Sequence, residues 1–239
     1  MKQTYERTLA ACYTGYVVQA IVNNFIPLLF LTFQSTYHIS MSSITLLITA
    51  NFLIQLLIDC LCAGFVDRIG YRASMILAHA ASAAGLVCLT FLPDLLPDPF
   101  IGLLISVAIY ALGGGLLEVL LSPIVEALPT DHKEKTMSLL HSFYCWGHVA
   151  VVLVSTIFFY LFGLENWKIM ALIWALIPIY NLFVFRKVPL CTLVAEDEEA
   201  LPLINILMRP AFWILMVVMP CAGASEQAVS QWASTFAEQ

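Results

Sequence analysis

Seven stretches of this chain are each long and apolar enough to cross a lipid bilayer. Nothing else in the sequence limits the fold so strongly. A crossing helix needs about 20 consecutive, mostly apolar residues. The segments at 9–32, 43–66, 74–93, 99–127, 137–162, 167–185 and 210–236 meet that requirement. The 239 residues are 61% hydrophobic and 11% charged, against roughly 45–50% and about 25% in soluble domains. A water-soluble core of this size cannot bury the excess, so it must face lipid. The expected fold class is all-α, a polytopic membrane protein. The first segment is too long for a signal peptide and lacks a small-residue cleavage site near its end, so it is read as a helix of the mature chain.

The basic residues orient these segments. With a cytoplasmic N-terminus, Lys2, Arg7, Arg68, Arg72, Lys133, Lys135, Arg186, Lys187 and Arg209 lie inside and only Lys168 lies outside. Nine of ten basic residues on one side is a strong positive-inside bias. The expected location is the cell membrane. The outer loops, around Gln34–Ser40, Pro93–Pro99 and Gly163–Lys168, are short and poor in cations. The net charge of -6 owes much to the acidic run Glu196–Glu199 and points to no nucleic-acid partner. Seven scattered Cys form neither a disulfide framework nor paired CxxC motifs, so no metal or other cofactor is expected.

Residues 188–208 make a longer cytoplasmic connection that contains the acidic run and Pro202. Three parts are therefore expected: a six-helix bundle at 1–187, a linker at 188–209, and a seventh helix at 210–239 that begins a second bundle. Two six-helix halves need about 400 residues, so the chain reads as a fragment or truncated product.

Polar residues inside spans are expensive and usually face a bundle interior or a wet cavity. Here they fall on stripes. The first segment carries Gly15, Gln19 and Asn23, with Asn24 beside them; the second carries Asn51, Gln55 and Asp59; the fourth carries Gly114, Glu118, Ser122 and Glu126. The seventh carries Gln227, Gln231 and Ser234, with Glu226 and Ser230 on a neighbouring stripe. Steps of four drift only about 40° around a helix, so each set shares one face. The third and sixth segments offer His79, Ser82, Thr90 and Asn181 but no comparable polar face, and are expected outside, against lipid.

Glu118 follows Gly113-Gly114-Gly115 in the body of the fourth segment. A carboxyl held there is a candidate proton carrier; the alternative is a protonated Glu bonded to a neighbouring helix. The Gly triplet favours close helix contact and Pro123 a kink. His141, Cys145 and His148 have a spacing that could hold a metal, but no acidic ligand shares their face, and hydrogen bonding is the preferred reading. Gln231 and Trp232 suit a sugar, by amide hydrogen bonds and stacking, or Trp232 anchors the interface. Arg7 precedes Asn24 by 17 residues, as Arg209 precedes Glu226, an echo expected of related halves.

GFVDRIGYR, between the second and third segments, resembles the signature loop of the major facilitator superfamily: Gly, three residues, Asp-Arg, any residue, Gly, any residue, then Arg or Lys. Asp67, Arg68, Gly70 and Arg72 match; Ala63 stands at the leading Gly and Gly64 follows. GGGLLEVLLSP and LLHSFYCWG are similar to the fucose/galactose–proton symporter-like branch, through Glu118, Ser122, Pro123, His141 and Gly147. SEQAVSQWAS resembles the seventh helix of such carriers. The branch's acidic residue in the first helix is not matched; Asn23 and Asn24 stand in that region.

The resemblance implies a secondary transporter, not an enzyme, working by alternating access on a small polar solute, a sugar, with proton symport. Glu118 would carry the proton. Asn23, Asn24, Glu226, Gln227 and Gln231 would contact substrate, with Gln19, Asn51, Gln55, His141 and Trp232 as further candidates. Asp67 and Arg68 would latch the cytoplasmic gate, Gly70 would permit its turn, and Arg72 would hold the loop inside. The partners are the solute, protons and the lipid bilayer, and a monomer is expected. The alternatives are an exporter of drugs or metabolites with the same fold, an intramembrane enzyme built on His141 and Ser142, and a transport-inactive membrane fragment.

Overall fold

The structure is a computed structural model that describes residues 2–130, 132–191 and 208–237; within them, the side chains of 2–4, 63–65, 67, 220, 226, 227, 230, 231 and 234–237 lie outside the description. The described residues form α1 (Lys2–Asn24), α2 (Phe30–Tyr37), α3 (Met41–Ile69), α4 (Tyr71–Leu95), α5 (Pro99–Glu126), α6 (Lys133–Phe162), α7 (Trp167–Phe185) and α8 (Pro210–Ala237). Short 3₁₀ turns stand at Ile26–Leu29 and Leu164–Asn166, and the described residues contain no strand. The all-α membrane architecture is therefore the observed one. Among the described residues, six spans are long and apolar enough to cross a membrane: Tyr5–Tyr37, Met41–Cys62, Tyr71–Leu95, Pro99–Glu126, Lys133–Phe162 and Leu164–Phe185. The chain divides into Met1–Cys191 and Thr192–Gln239. The second unit contains α8, whose apolar stretch is Pro210–Ser225.

The first span is longer than the 9–32 expected and is not one helix. α1 stops at Asn24, a 3₁₀ turn carries Ile26–Leu29, and α2 resumes at Phe30. Pro27 accounts for the break: it has no N–H to give and its ring crowds the carbonyl four residues back. The outer loops are also shorter than expected, because the helices run into them. α2 reaches Tyr37 and ends at His38 in a left-handed conformation (φ 54°). Ser40 then caps α3, its hydroxyl accepting from Ser43 N–H. α4 continues through Pro93, and Asp98 caps α5 with Pro99 in its first turn.

At the end of the first unit where α2 meets α3 and α4 meets α5, Tyr37 donates to Asp94 Oδ1 at 2.8 Å, and Lys168 pairs with Asp94 Oδ2. The trio ties α2, α4 and α7 together. Deeper in, α5 packs on α4, α3 and α1; α4 packs on α7; and α1 packs on α6 and α7. The α4–α5 seam is close because it is built on glycines. A Cβ on Gly85 would lie 2.5 Å from the Tyr110 backbone, and one on Gly113 would overlap Ser82 and the Ala78 carbonyl.

One expectation is corrected here. α4 and α7 do not simply face lipid: they pack on each other and bury His79, Ser82 and Asn181 completely or nearly so. A lone polar side chain has the same need for a partner as a stripe, so it turns inward even where it makes no periodic signal. Both helices also keep apolar outer faces, with Leu77, Phe91, Leu172 and Leu176 exposed. The least enclosed spans of this unit are α3 and α6, and the most enclosed is the first.

Candidate functional site

The polar stripes of α1, α3 and α5 meet as a ladder of three rungs. In the first, Gln55 Nε2 donates to Asn23 Oδ1 at 2.9 Å and to Asn51 Oδ1 at 3.0 Å. All three residues are buried. In the second, one helical turn away, Gln19 Nε2 donates to Glu118 Oε2 at 3.1 Å. Asp59 lies one turn beyond Gln55 on the same face of α3. In the third, the Tyr16 hydroxyl and Ser122 Oγ are 3.0 Å apart. His141 of α6 packs edge-on against the Tyr16 ring, with centroids 5.4 Å apart.

Local sequence explains the rungs. Asn23, Gln19 and Tyr16 recur on one face of α1; Gln55 and Asp59 on one face of α3; and Glu118 and Ser122 on one face of α5. The Gly triplet lets these helices approach. A Cβ on Gly114 would sit 3.0 Å from Val22 and 3.4 Å from Gln55, and one on Gly115 would meet Ile58 and the Gln55 backbone at 3.0–3.2 Å. The three glycines thus serve two seams, Gly113 toward α4 and the other two toward α1 and α3.

The ladder is dry at one end and open at the other. Asn23, Gln19, Asn51 and Gln55 are each no more than 6% exposed, whereas Glu118 and His141 are exposed. Two acceptors within the second rung, Gln19 Oε1 and Asp59 Oδ1, are buried and take no hydrogen bond from the described residues. Chemically, the face offers amides and hydroxyls to a polar solute and a carboxyl able to exchange a proton with whatever wets it.

The other expected site residues are placed as follows. Asn24 turns to its own helix, donating to the Ala20 carbonyl at 2.9 Å. Among the described residues no three His, Cys, Asp or Glu side chains are grouped to hold a metal. In the signature loop, Gly70 has φ 82° and joins α3 to α4, a conformation that favours glycine. Arg72 Nη1 donates to the Phe185 carbonyl at 2.7 Å, placing a cation at the C-terminus of α7. Arg68 is exposed. The side chains of Asp67, Glu226, Gln227 and Gln231 lie outside the described residues, as do linker residues 192–207. Trp232 is half-buried on α8. A groove of about 1100 Å³ between α1 and α7, lined by Arg7, Asn181 and Lys187 among others, contains no ladder residue.

Sequence reading missed Tyr16 and left Asp59 without a role. Tyr16 lies three residues before Gln19, on the same helical face, and that spacing was the available signal.

The Major Facilitator Superfamily profile matches residues 12–239. No curated protein matches the sequence. Among solved structures, an inward-open conformation of the xylose transporter XylE from E. coli is similar, with TM-score 0.63 and 17% identity over 98% of this chain and 55% of that one. The likeness is one of fold, and the chain spans about half the length of that transporter.

Proposed function

The chain belongs to the Major Facilitator Superfamily, and on that premise we propose a secondary active transporter that moves a small polar solute, a sugar, by alternating access with proton symport. The observation that carries this reading is the second rung, where an exposed carboxyl is held by a buried amide in a wall of further amides. Amides and hydroxyls match the donors and acceptors of a polyol. An exporter of apolar drugs would want an aromatic, greasy lining instead. The fold shared with a xylose transporter makes a monosaccharide the first solute to try.

In this reading Glu118 carries the proton. Asn23, Gln19, Asn51, Gln55 and His141 are the solute contacts of the first unit; Glu226, Gln227, Gln231 and Trp232 are the candidate solute contacts of α8. Asn24, bonded to its own helix, contributes shape. Asp67, Arg68, Gly70 and Arg72 form the cytoplasmic gate. The protein is a monomer in the cell membrane with its N-terminus in the cytoplasm, organised as a bundle at 1–187, a linker at 188–209 and the start of a second bundle at 210–239.

Uptake by proteoliposomes of a panel of labelled monosaccharides, driven by an imposed proton gradient, tests it. Glu118→Gln is expected to abolish accumulation while leaving exchange of solute across the bilayer. Should the Gln variant still concentrate solute against its gradient, Glu118 is not the carrier. Failure of every sugar to move, with or without the gradient, overturns the reading.

A further inference from the structure

The second rung contains more acid than a lone proton carrier needs. Asp59 and Glu118 stand on α3 and α5, which pack on each other and cross the membrane in the same direction. Gln55 lies on Gly114 and Ile58 on Gly115, so one further turn along both helices brings Asp59 to the depth of Glu118. No ion pair among the described residues reaches either acid: Lys133–Glu126 and Lys168–Asp94 stand at the two ends of the unit. Among the described residues, the groups bonded to Glu118 or packed beside its partners include no Lys or Arg. α1 presents Gln19 and Tyr16, α3 presents Asp59, and α6 presents His141 against Tyr16. His79 of α4 is engaged elsewhere, by Met75 and Asn181.

Two carboxyls at one depth, with no ion pair to either among the described residues, can share a single proton. One orphan atom shows where a proton would be received, since Asp59 Oδ1 is buried and accepts no hydrogen bond from the described residues. The two acids also differ in access. Glu118 is exposed, while Asp59 is half-buried with that oxygen inside.

We propose that Asp59 and Glu118 form one proton-binding pair, Glu118 being the wet end and Asp59 the dry end, with a single proton held between them. Hydronium at the open face gives its proton to a Glu118 oxygen, an O–H bond forms as one breaks in hydronium, and the O–H points to Asp59 Oδ1. Release is the reverse, to water. The pair's charge then alternates between minus two and minus one, and Gln19, whose N–H₂ already holds Glu118, keeps Oε1 for a solute hydroxyl. This rests on the reading of Glu118 as carrier, and adds that Glu118 cannot hold the proton without Asp59.

Infrared spectroscopy of the protein in lipid bilayers at neutral pH tests the pair without any solute. The protonated-carboxyl C=O band is expected to vanish in Asp59→Asn and equally in Glu118→Gln, and to return in Asp59→Glu. Each variant is read where circular dichroism matches the parent; Asp59→Ser carries the same expectation if the Asn variant does not fold. A band that survives Asp59→Asn but not Glu118→Gln overturns the pair and leaves Glu118 as sole carrier. A band that survives Glu118→Gln but not Asp59→Asn overturns both readings. So does a parent band that neither substitution alters. Loss of the parent band on adding sodium chloride, but not choline chloride, would mean that a metal cation takes the site, and also overturns the pair.

Discussion

Among the described residues of the first unit, two buried groups of polar side chains each join three helices, and they differ in kind. The ladder joins α1, α3 and α5. The second group joins α1, α4 and α7: His79 contacts the Met75 carbonyl through Nδ1 at 2.7 Å, and Asn181 Nδ2 reaches His79 Nε2 at 2.8 Å and the Ala11 carbonyl at 2.9 Å. This bonding assigns the tautomer, with Nδ1 donating to Met75 and Nε2 accepting from Asn181. Burial does not separate the groups, since His79 is 0% and Gln19 3% exposed. Charge and closure do. The His79 knot is neutral and leaves one atom, Asn181 Oδ1, without a described partner. The ladder has two acids, two orphan acceptors and an open end. Polar groups that close on one another hold helices together, whereas polar groups left open are available for a ligand.

That contrast can be broken on the knot's side first. Gly113 lies on the α4–α5 seam, where an added side chain meets the α4 backbone at Ala78 and Ser82. Gly113→Leu is expected to cost about 3 kcal/mol or more, since overpacking here must push α4 and α5 apart; thermal unfolding in detergent reads it. Gly114→Ala, whose Cβ would press on the Val22 side chain at 3.0 Å but on no neighbouring backbone, is the control and is expected to cost about 1 kcal/mol. Asn181→Leu comes next. It strips His79 Nε2 of its donor and is expected to cost about 2 kcal/mol, the penalty for a buried unsatisfied group. Solute exchange by the variant that folds should match the parent. If exchange falls instead while stability holds, the knot belongs to the working site.

The ladder should answer differently. Gln55→Leu removes both bonds of the first rung. It takes the Nε2 donor from two buried acceptors, Asn23 Oδ1 and Asn51 Oδ1, so its stability cost is expected to be about 2 kcal/mol; unlike the knot variant, it also lowers solute affinity about tenfold, equivalent to about 1.4 kcal/mol. Solute-dependent protection against heat unfolding, measured beside the unliganded midpoint, separates the two effects.

How far the sequence went follows the same division. The spans were legible because lipid demands long apolar runs, and the rungs' depth was legible because i, i+4 spacing keeps Gln19 with Asn23 and Asn51 with Gln55. Which residue bonds which was not legible. Asn23 meets Gln55 and Gln19 meets Glu118 only because the Gly triplet sets two helix separations, and that is a long-range matter. The His79–Asn181 knot was missed for a simpler reason: one polar residue per helix makes no stripe. Pro27 was visible, but its effect on the first span was not drawn from it. The side chains of Asp67, Glu226, Gln227 and Gln231 lie outside the described residues.

The smallest expected effect is the most informative about where the ladder ends. Tyr16 and Ser122 form its third rung, 3.0 Å apart, with either able to donate. Tyr16→Phe removes one hydroxyl but keeps the ring that packs against His141 and Tyr144. Ser122 is only half-buried, so water can take the lost hydroxyl's place. The stability cost should then be about 0.5 kcal/mol, at the low end for a hydrogen bond, and exchange should change about twofold or less, about 0.4 kcal/mol. A cost near that of Asn181→Leu would mean that Tyr16 and Ser122 close on each other as the knot does. The open wall would then begin at Glu118 rather than one turn beyond it, and His141 would lose its link to the solute through Tyr16.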